Sequence, residues 1–157
     1  MFHVVLYEPE IPPNTGNIIR LCANSGVSLH LLQPLGFRLD DRQMRRAGLD
    51  YRERAVITVH RSLAEFRETV APARLFALST RGQSRYDSVE YRPGDALLFG
   101  PETRGLPQAV LDLVRPQHVL RIPMVSGSRS VNLANAVAIV VYEAWRQHDF
   151  RVQPPPN

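Results

Sequence analysis

The sequence predicts an α/β fold, a mainly parallel sheet with helices on both faces. Three observations predict it. Short apolar runs rich in Val, Leu and Phe alternate with helical patterns along the chain. Several boundaries between them carry helix-start or helix-stop chemistry. The 157 residues, 44% hydrophobic and 22% charged, have the size and composition of one soluble domain with a single core.

In chain order, strands are expected at Phe2–Tyr7, Leu29–Gln33, Ala55–Val59, Arg74–Ser79, Ala96–Phe99 and Val119–Ile122. Helices are expected near Asn17–Ser25, Asp40–Gly48, Leu63–Val70, Pro107–Val114 and Val131–His148. Gly26 suits a helix end. Ser62-Leu63-Ala64-Glu65 is a capping box, in which serine and glutamate satisfy backbone N–H groups at a helix start. Pro107 suits a first helical turn, where its missing N–H costs nothing. No repeat or linker interrupts the pattern, so one domain is expected over residues 1–150. A frayed tail with three consecutive prolines is expected over 151–157. The last helix reads Ala-Val-Ala-Ile-Val-Val from Ala136 to Val141 and continues through Tyr142, Ala144 and Trp145. Apolar on every side, it is expected to be buried centrally or shared with another subunit, and the small domain favours the subunit interface.

Composition removes several chemistries. All 19 basic residues are arginine, which excludes a Schiff base, a lysine general base and a Walker-type lysine. A single cysteine, Cys22, excludes disulfides within the chain and cysteine-rich metal sites. The histidines His3, His30, His60, His118 and His148 have no metal-ligand spacing, so no metal is expected; His3 and His30 read as packed imidazoles in strands. Neither a G-x-S-x-G elbow, a Rossmann fingerprint nor a P-loop occurs. Phe2–Tyr7 is too short for a signal peptide, and no run approaches the ~18 apolar residues of a membrane span, so a cytoplasmic protein without a membrane partner is expected.

Net charge is +4, which is compatible with an anionic partner without requiring one. Arg38, Arg42, Arg45, Arg46, Arg52 and Arg54 cluster, partly offset by Asp40, Asp41, Asp50 and Glu53. Two readings stand: a solvated, salt-bridged helix face, or a surface whose planar guanidinium forks contact phosphates.

In an open parallel sheet, ligands bind beyond the carboxyl ends of the strands. Three loops there look specialised: Ser79–Gly82, Gly100–Pro107 and Ile122–Ser130, the last running into Asn132. Their glycines and prolines allow stiff backbone to approach a ligand closely, as a nucleotide-like cofactor needs. A fourth feature, Glu8 to Arg20, follows the first strand; at least one of Asn14 and Asn17 is expected to cap the helix, and Arg20, one turn into it, reads as a surface salt bridge or as a phosphate anchor.

Asn14-Thr15-Gly16-Asn17-Ile18-Ile19-Arg20, Phe99 to Pro107, and Ser130-Val131-Asn132-Leu133-Ala134-Asn135-Ala136 resemble, in order, the three motifs of ribose methyltransferases of the SPOUT superfamily. Leu6 to Asn14 and Arg45 to Tyr51 resemble its TrmL (YibK) branch, which methylates the wobble cytidine or uridine of certain leucine tRNAs. The resemblance implies a deep C-terminal trefoil knot, a homodimer, S-adenosyl-L-methionine as methyl donor and S-adenosyl-L-homocysteine as product. Leu78, Gly100, Ile122 and Ser130 would then contact the cofactor. Asn14, Arg20, Glu102, Ser130 and Asn132 would form the catalytic neighbourhood. Ala134 departs from the branch, which usually has serine there. With tRNA as partner, Arg42, Arg45 and Arg46 are expected to contact phosphates. The family assigns the base role to the arginine matching Arg20, but a guanidinium pKa above ~12 makes orienting a phosphate and stabilising an alkoxide the easier task. Another RNA ribose as target, or an inactive RNA-binding module, are the alternatives.

Overall fold

The structure, a computed structural model, describes residues 1–43, 46 and 55–152. Its strands are β1 (His3–Tyr7), β2 (Ser28–Leu32), β3 (Ile57–His60), β4 (Arg74–Leu78), β5 (Ser84–Arg85), β6 (Asp95–Phe99) and β7 (Val119–Arg121). They form one sheet in the order β3-β2-β1-β6-β4-β7-β5, and every pairing is parallel. Helices α1 (Pro12–Ser25), α2 (Leu63–Val70), α3 (Gln108–Leu111) and α4 (Leu133–Arg146) cover it.

Side chains alternate between two apolar layers because successive residues of a strand face opposite ways. Val4, Leu6, Leu29, Leu31, Phe76, Leu97 and Phe99 pack with Ile18, Ile19 and Cys22 of α1 and Val137, Val140, Val141 and Ala144 of α4. Val5, Ala77, Ala96 and Leu98 pack on the other face with Leu63 and Phe66 of α2 and Val110 and Leu111 of α3. Helices therefore cover both faces, as expected. No helix among the described residues is long and apolar enough to cross a membrane.

Three helices differ from expectation. Helix α1 starts at Pro12, not Asn17, because Pro12 and Pro13 occupy its first turn, where proline's fixed φ is already helical. Asn14 and Asn17 are thus inside the helix and do not cap it; Ile11 is the N-cap residue, without a side-chain bond, and Arg20 lies two turns in. Helix α3 is a single turn, closed at Asp112. In α4, Val137 and Val141 are buried within the single chain, so the apolar run is largely explained by its own α1 and sheet. Tyr142, 43% exposed, and half-buried Ile139 and Trp145 carry that character outward, and Trp145 meets Tyr142 and exposed Phe150 edge-on.

Local signals hold elsewhere. Ser62 Oγ accepts from the Glu65 N–H and caps α2, and the Gly26 N–H closes α1 onto the Cys22 carbonyl. Strand β5 carries no apolar pattern and was not expected; it pairs at the sheet edge with β7. Of the helix expected at Asp40–Gly48, Arg42, Gln43 and Arg46 are helical; residues 44, 45, 47 and 48 lie outside the described residues, as do residues 153–157. Arg151, expected to begin the tail, is tied down where its carbonyl accepts from the Trp145 indole at 3.0 Å.

On the α2 face three imidazoles form a row: His3 Nδ1 lies 3.0 Å from His30 Nε2, and His30 Nδ1 2.9 Å from His60 Nε2. Phe66 packs edge-on against His30 and His60. Burial, then the neighbouring His3 and His60, push His30 down to about 3. Burial lowers His3 and His60 as well. His3 and His30 are the packed imidazoles that their strand positions implied; His60, beyond the expected strand Ala55–Val59, joins them because β3 runs on to His60.

Candidate active site

Strand β4 lies between β6 and β7, with Leu78 beside Phe99 and Leu120. The loops that leave these three strands are therefore neighbours at one end of the sheet. They enclose a cavity of about 330 Å³. Leu78, Gly100, Ile122 and Ser130, one from each strand end and one from the start of the third motif, all line it, and so does Glu102. Main chain is packed tightly here. A Cβ on Gly100 would fall 2.4 Å from the Leu106 nitrogen, and one on Gly82 2.4 Å from the Leu120 carbonyl carbon. Both contacts are to backbone, so only glycine fits at either position without moving a loop.

The cavity's second loop is clasped to the turn before α1. Both carboxylate oxygens of Glu102 accept backbone N–H groups, from Glu10 at 2.8 Å and Ile11 at 3.0 Å. In return Glu10 accepts from the Thr103 hydroxyl at 2.8 Å and the Thr103 N–H at 3.1 Å, which holds its carboxyl below the usual range. Arg104 pairs with Glu8 at 2.8 Å. Because β1 and β6 are adjacent and parallel, their exits meet, and these bonds join them across more than ninety residues of sequence.

Arg20, Asn14 and Asn132 belong to a different recess, an open groove of about 530 Å³ between α1 and α4. Asn132 Oδ1 caps α4 by accepting the Ala134 N–H at 2.9 Å and the Asn135 N–H at 3.3 Å. That cap turns the Nδ2 of Asn132 toward α1, where it donates to Asn14 Oδ1 at 3.2 Å. Asn14 is buried, Arg20 exposed. Ala134 lines the same groove. Within one chain the site residues thus form two sets, meeting at the segment from Ser130 to Asn132.

The sequence and the fold have known counterparts. The SpoU rRNA methylase family matches residues 1–142. The chain belongs to this family. The tRNA (cytidine(34)-2'-O)-methyltransferase of Escherichia coli (strain K12) is 58% identical over 147 residues, covering 94% of each chain. The protein of that name from Methylovorus glucosotrophus (strain SIP3-4) is 55% identical over 150 residues, 96% of this chain and 97% of its own. A solved structure concerned with the 2-OH methylation of C/U34 on tRNA matches with a TM-score of 0.89 at 47% identity, covering 96% of this chain and 98% of that one. The SpoU methyltransferase AviRb from Streptomyces viridochromogenes, in complex with AdoMet, matches with a TM-score of 0.85 at 26% identity, covering 94% of this chain and 60% of that one.

In this SpoU-family chain the sequence motifs locate the cavity but not its cross-ties. Glu10, Thr103 and Arg81 lie in segments that the sequence singles out, but their tasks leave no local mark, since each is defined by a partner distant in sequence. Arg42 and Arg46 are exposed, and Arg45 lies outside the described residues. Arg38 pairs with Asp40 at 3.2 Å, so part of this stretch is salt-bridged as the first reading has it.

Proposed function

We propose that this SpoU-family protein transfers a methyl group from S-adenosyl-L-methionine to the ribose 2′-hydroxyl of the wobble cytidine or uridine, position 34, of leucine tRNA. The observation that carries the reading is the convergence of Leu78, Gly100, Ile122 and Ser130 on one cavity, with Arg20, Asn14 and Asn132 in the recess beside it. The relatives' names support position 34 as the target.

The residues fit the cofactor. A cavity of about 330 Å³ falls within the roughly 300–1,000 Å³ of small-molecule sites. Leu78, Phe99, Ile122 and Leu133 give it apolar surface for an adenine, and Ser79, Thr80 and Ser130 give it polar edges. When bound, S-adenosyl-L-methionine supplies a methyl group already activated by its sulfonium charge, leaving S-adenosyl-L-homocysteine. The protein's part is geometric and electrostatic. It must hold the ribose oxygen in line with that methyl, so that an O–C bond forms as the S–C bond breaks. Arg20 orients the adjacent phosphate and stabilises negative charge developing on the 2′-oxygen. The proton leaves to a phosphate oxygen or water. Asn14 and Asn132 fix the spacing of α1 and α4 around it, and Glu102 holds the cavity wall to the turn before α1. Ser130 lies where donor and acceptor meet. Arg42, Arg45 and Arg46 add phosphate contacts.

The reading includes a trefoil knot threading the three loops, one domain over residues 1–150, a cytoplasmic location with the tRNA, and a homodimer. In the dimer, Arg20 of one copy reaches toward the cavity of the other, which accounts for the two separate sets of residues within a chain.

The test is labelled methyl transfer to bulk tRNA, followed by mapping of the modified nucleotide. Methylation at position 34 is expected, and Arg20→Ala should lose at least ~10²-fold in rate while binding S-adenosyl-L-homocysteine as before, the pattern of an interaction made in the transition state. A label at another tRNA or rRNA ribose would replace the substrate. RNA binding without any methylation would leave a binding module.

A further inference from the structure

The cofactor cavity is built from loops, so its shape depends on ties between them. One such tie stands outside the family motifs. The Ser79–Gly82 turn is fixed at its base to β7: the Ser79 N–H donates to the Leu120 carbonyl at 2.9 Å, and Gly82 sits against that same carbonyl with no room for a side chain. Within the turn, the Gly82 N–H donates to the Ser79 carbonyl at 3.0 Å and the Arg81 N–H to Ser79 Oγ at 3.1 Å. From this rigid base the Arg81 side chain reaches across to the other loop. Its Nη2 donates to the Leu106 carbonyl at 3.1 Å and its Nη1 to Gln108 Oε1 at 2.8 Å. Gln108 is in turn held by Asp112, whose Oδ1 accepts from Gln108 Nε2 at 2.8 Å.

The main chain that Arg81 grips at Leu106 belongs to the same stretch, Gly105 to Leu106, that packs against Gly100. It thus touches both a strand exit and a guanidinium, and both Arg81 and Leu106 line the cavity. Arg81 is exposed, so this contact lies at the rim. We propose that Arg81 is a positioning residue for the methyl donor: by latching the first loop to the second it sets the width of the cavity. The inference rests on the reading of that cavity as the S-adenosyl-L-methionine site. A two-point fork is what a guanidinium offers and an ammonium does not, so lysine should serve only in part.

The consequence is a split between donor binding and turnover. A latch that fixes only the donor's pocket raises the donor's KM and leaves saturated turnover alone. The probe is S-adenosyl-L-homocysteine, titrated by calorimetry into the full-length protein, with tRNA methylation measured in parallel. Arg81→Ala should weaken binding about tenfold, as expected for loss of charge-assisted hydrogen bonds. Donor KM should rise to match, with kcat and the KM for tRNA within about twofold of the parent. Arg81→Lys should recover part of the loss. Gln108→Ala should show a smaller effect, and adding it to Arg81→Ala should change nothing further, since both remove one interaction. Affinity of Arg81→Ala within twofold of the parent overturns the latch. So does a fall in kcat and thermal midpoint together with a rise in both KM values, the mark of a general structural role. A parent protein that binds no S-adenosyl-L-homocysteine overturns the cofactor reading itself, and the latch with it.

Discussion

Glu102 shows how a motif residue can be legible while its task is not. The sequence places a carboxylate in the second motif and implies a catalytic neighbour. The structure gives its two oxygens to the N–H groups of Glu10 and Ile11, partners 92 and 91 residues earlier. Backbone partners leave no trace in side-chain identity, so no sequence pattern marks them. The amide of Glu102→Gln would set an N–H against one of those N–H groups, losing a charged hydrogen bond and adding a repulsive contact. Hydrogen exchange at the Glu10 and Ile11 amides should speed up, and methylation should fall about tenfold. Unchanged exchange at both amides would show that the clasp does not order the turn. Asn132 was equally legible as a position, yet its double duty as cap of α4 and donor to Asn14 follows only from packing α4 against α1.

Among the elements, the central strands were readable because parallel strands buried on both faces are continuous apolar runs. All five residues of β2 and of β6 are buried. Strand β6 also begins one residue earlier than expected, at Asp95, whose buried carboxylate is met by the fork of Arg74 at 2.9 and 2.6 Å. The early start of α1 was written in Pro12-Pro13, which reads equally as loop or as first turn; tertiary packing of Asn14 and Thr15 decides for helix. Strand β5 had no signal, being two polar residues at an edge. The histidine row crossing β1, β2 and β3 makes a prediction at this scale. His30 holds a folded pKa of about 3, whereas an unfolded histidine titrates near ~6.5. Below that value the unfolded chain binds more protons than the folded one, so the stability is complete above pH ~6.5 and is lost as pH falls. From His30 alone the loss should be about 2 kcal/mol at pH 5. Denaturant unfolding at pH 7 and pH 5 checks this, and equal stability at the two would contradict it.

For the whole molecule, the apolar width of the last helix divides in two: α1 and the sheet cover Val137 and Val141 within one chain, while Tyr142 stays exposed and Trp145 half-buried. A sequence gives the apolar width of a helix and not the area its own fold will cover. What remains outward includes the aromatic group of Tyr142, Trp145 and Phe150, which is the natural centre of the proposed two-fold interface. Because Tyr142 is already exposed in the single chain, Tyr142→Asp should leave the monomer folded. In a dimer the same carboxylate would be buried without a partner, at several kcal/mol. Sedimentation should show the variant monomeric, with unchanged circular dichroism and tRNA methylation reduced at least ~10-fold, since in the proposed dimer each site draws on both copies. A variant that stays dimeric and active, or a parent protein active as a monomer, would remove the interface from this face.

The clasp between Glu8–Ile11 and Glu102–Arg104 also bears on how the protein is made. Its partners are separated by most of the chain, and the cavity takes its last wall from Ser130, Leu133 and Ala136. Contacts of that span close late in folding, after their loop entropy has been overcome. On a ribosome, the first strand and first helix must therefore wait, with one edge of β1 unpaired, until β6 emerges some ninety residues later. The site cannot exist in any partial product, so binding of the methyl donor reports completion of the fold as well as readiness for the reaction.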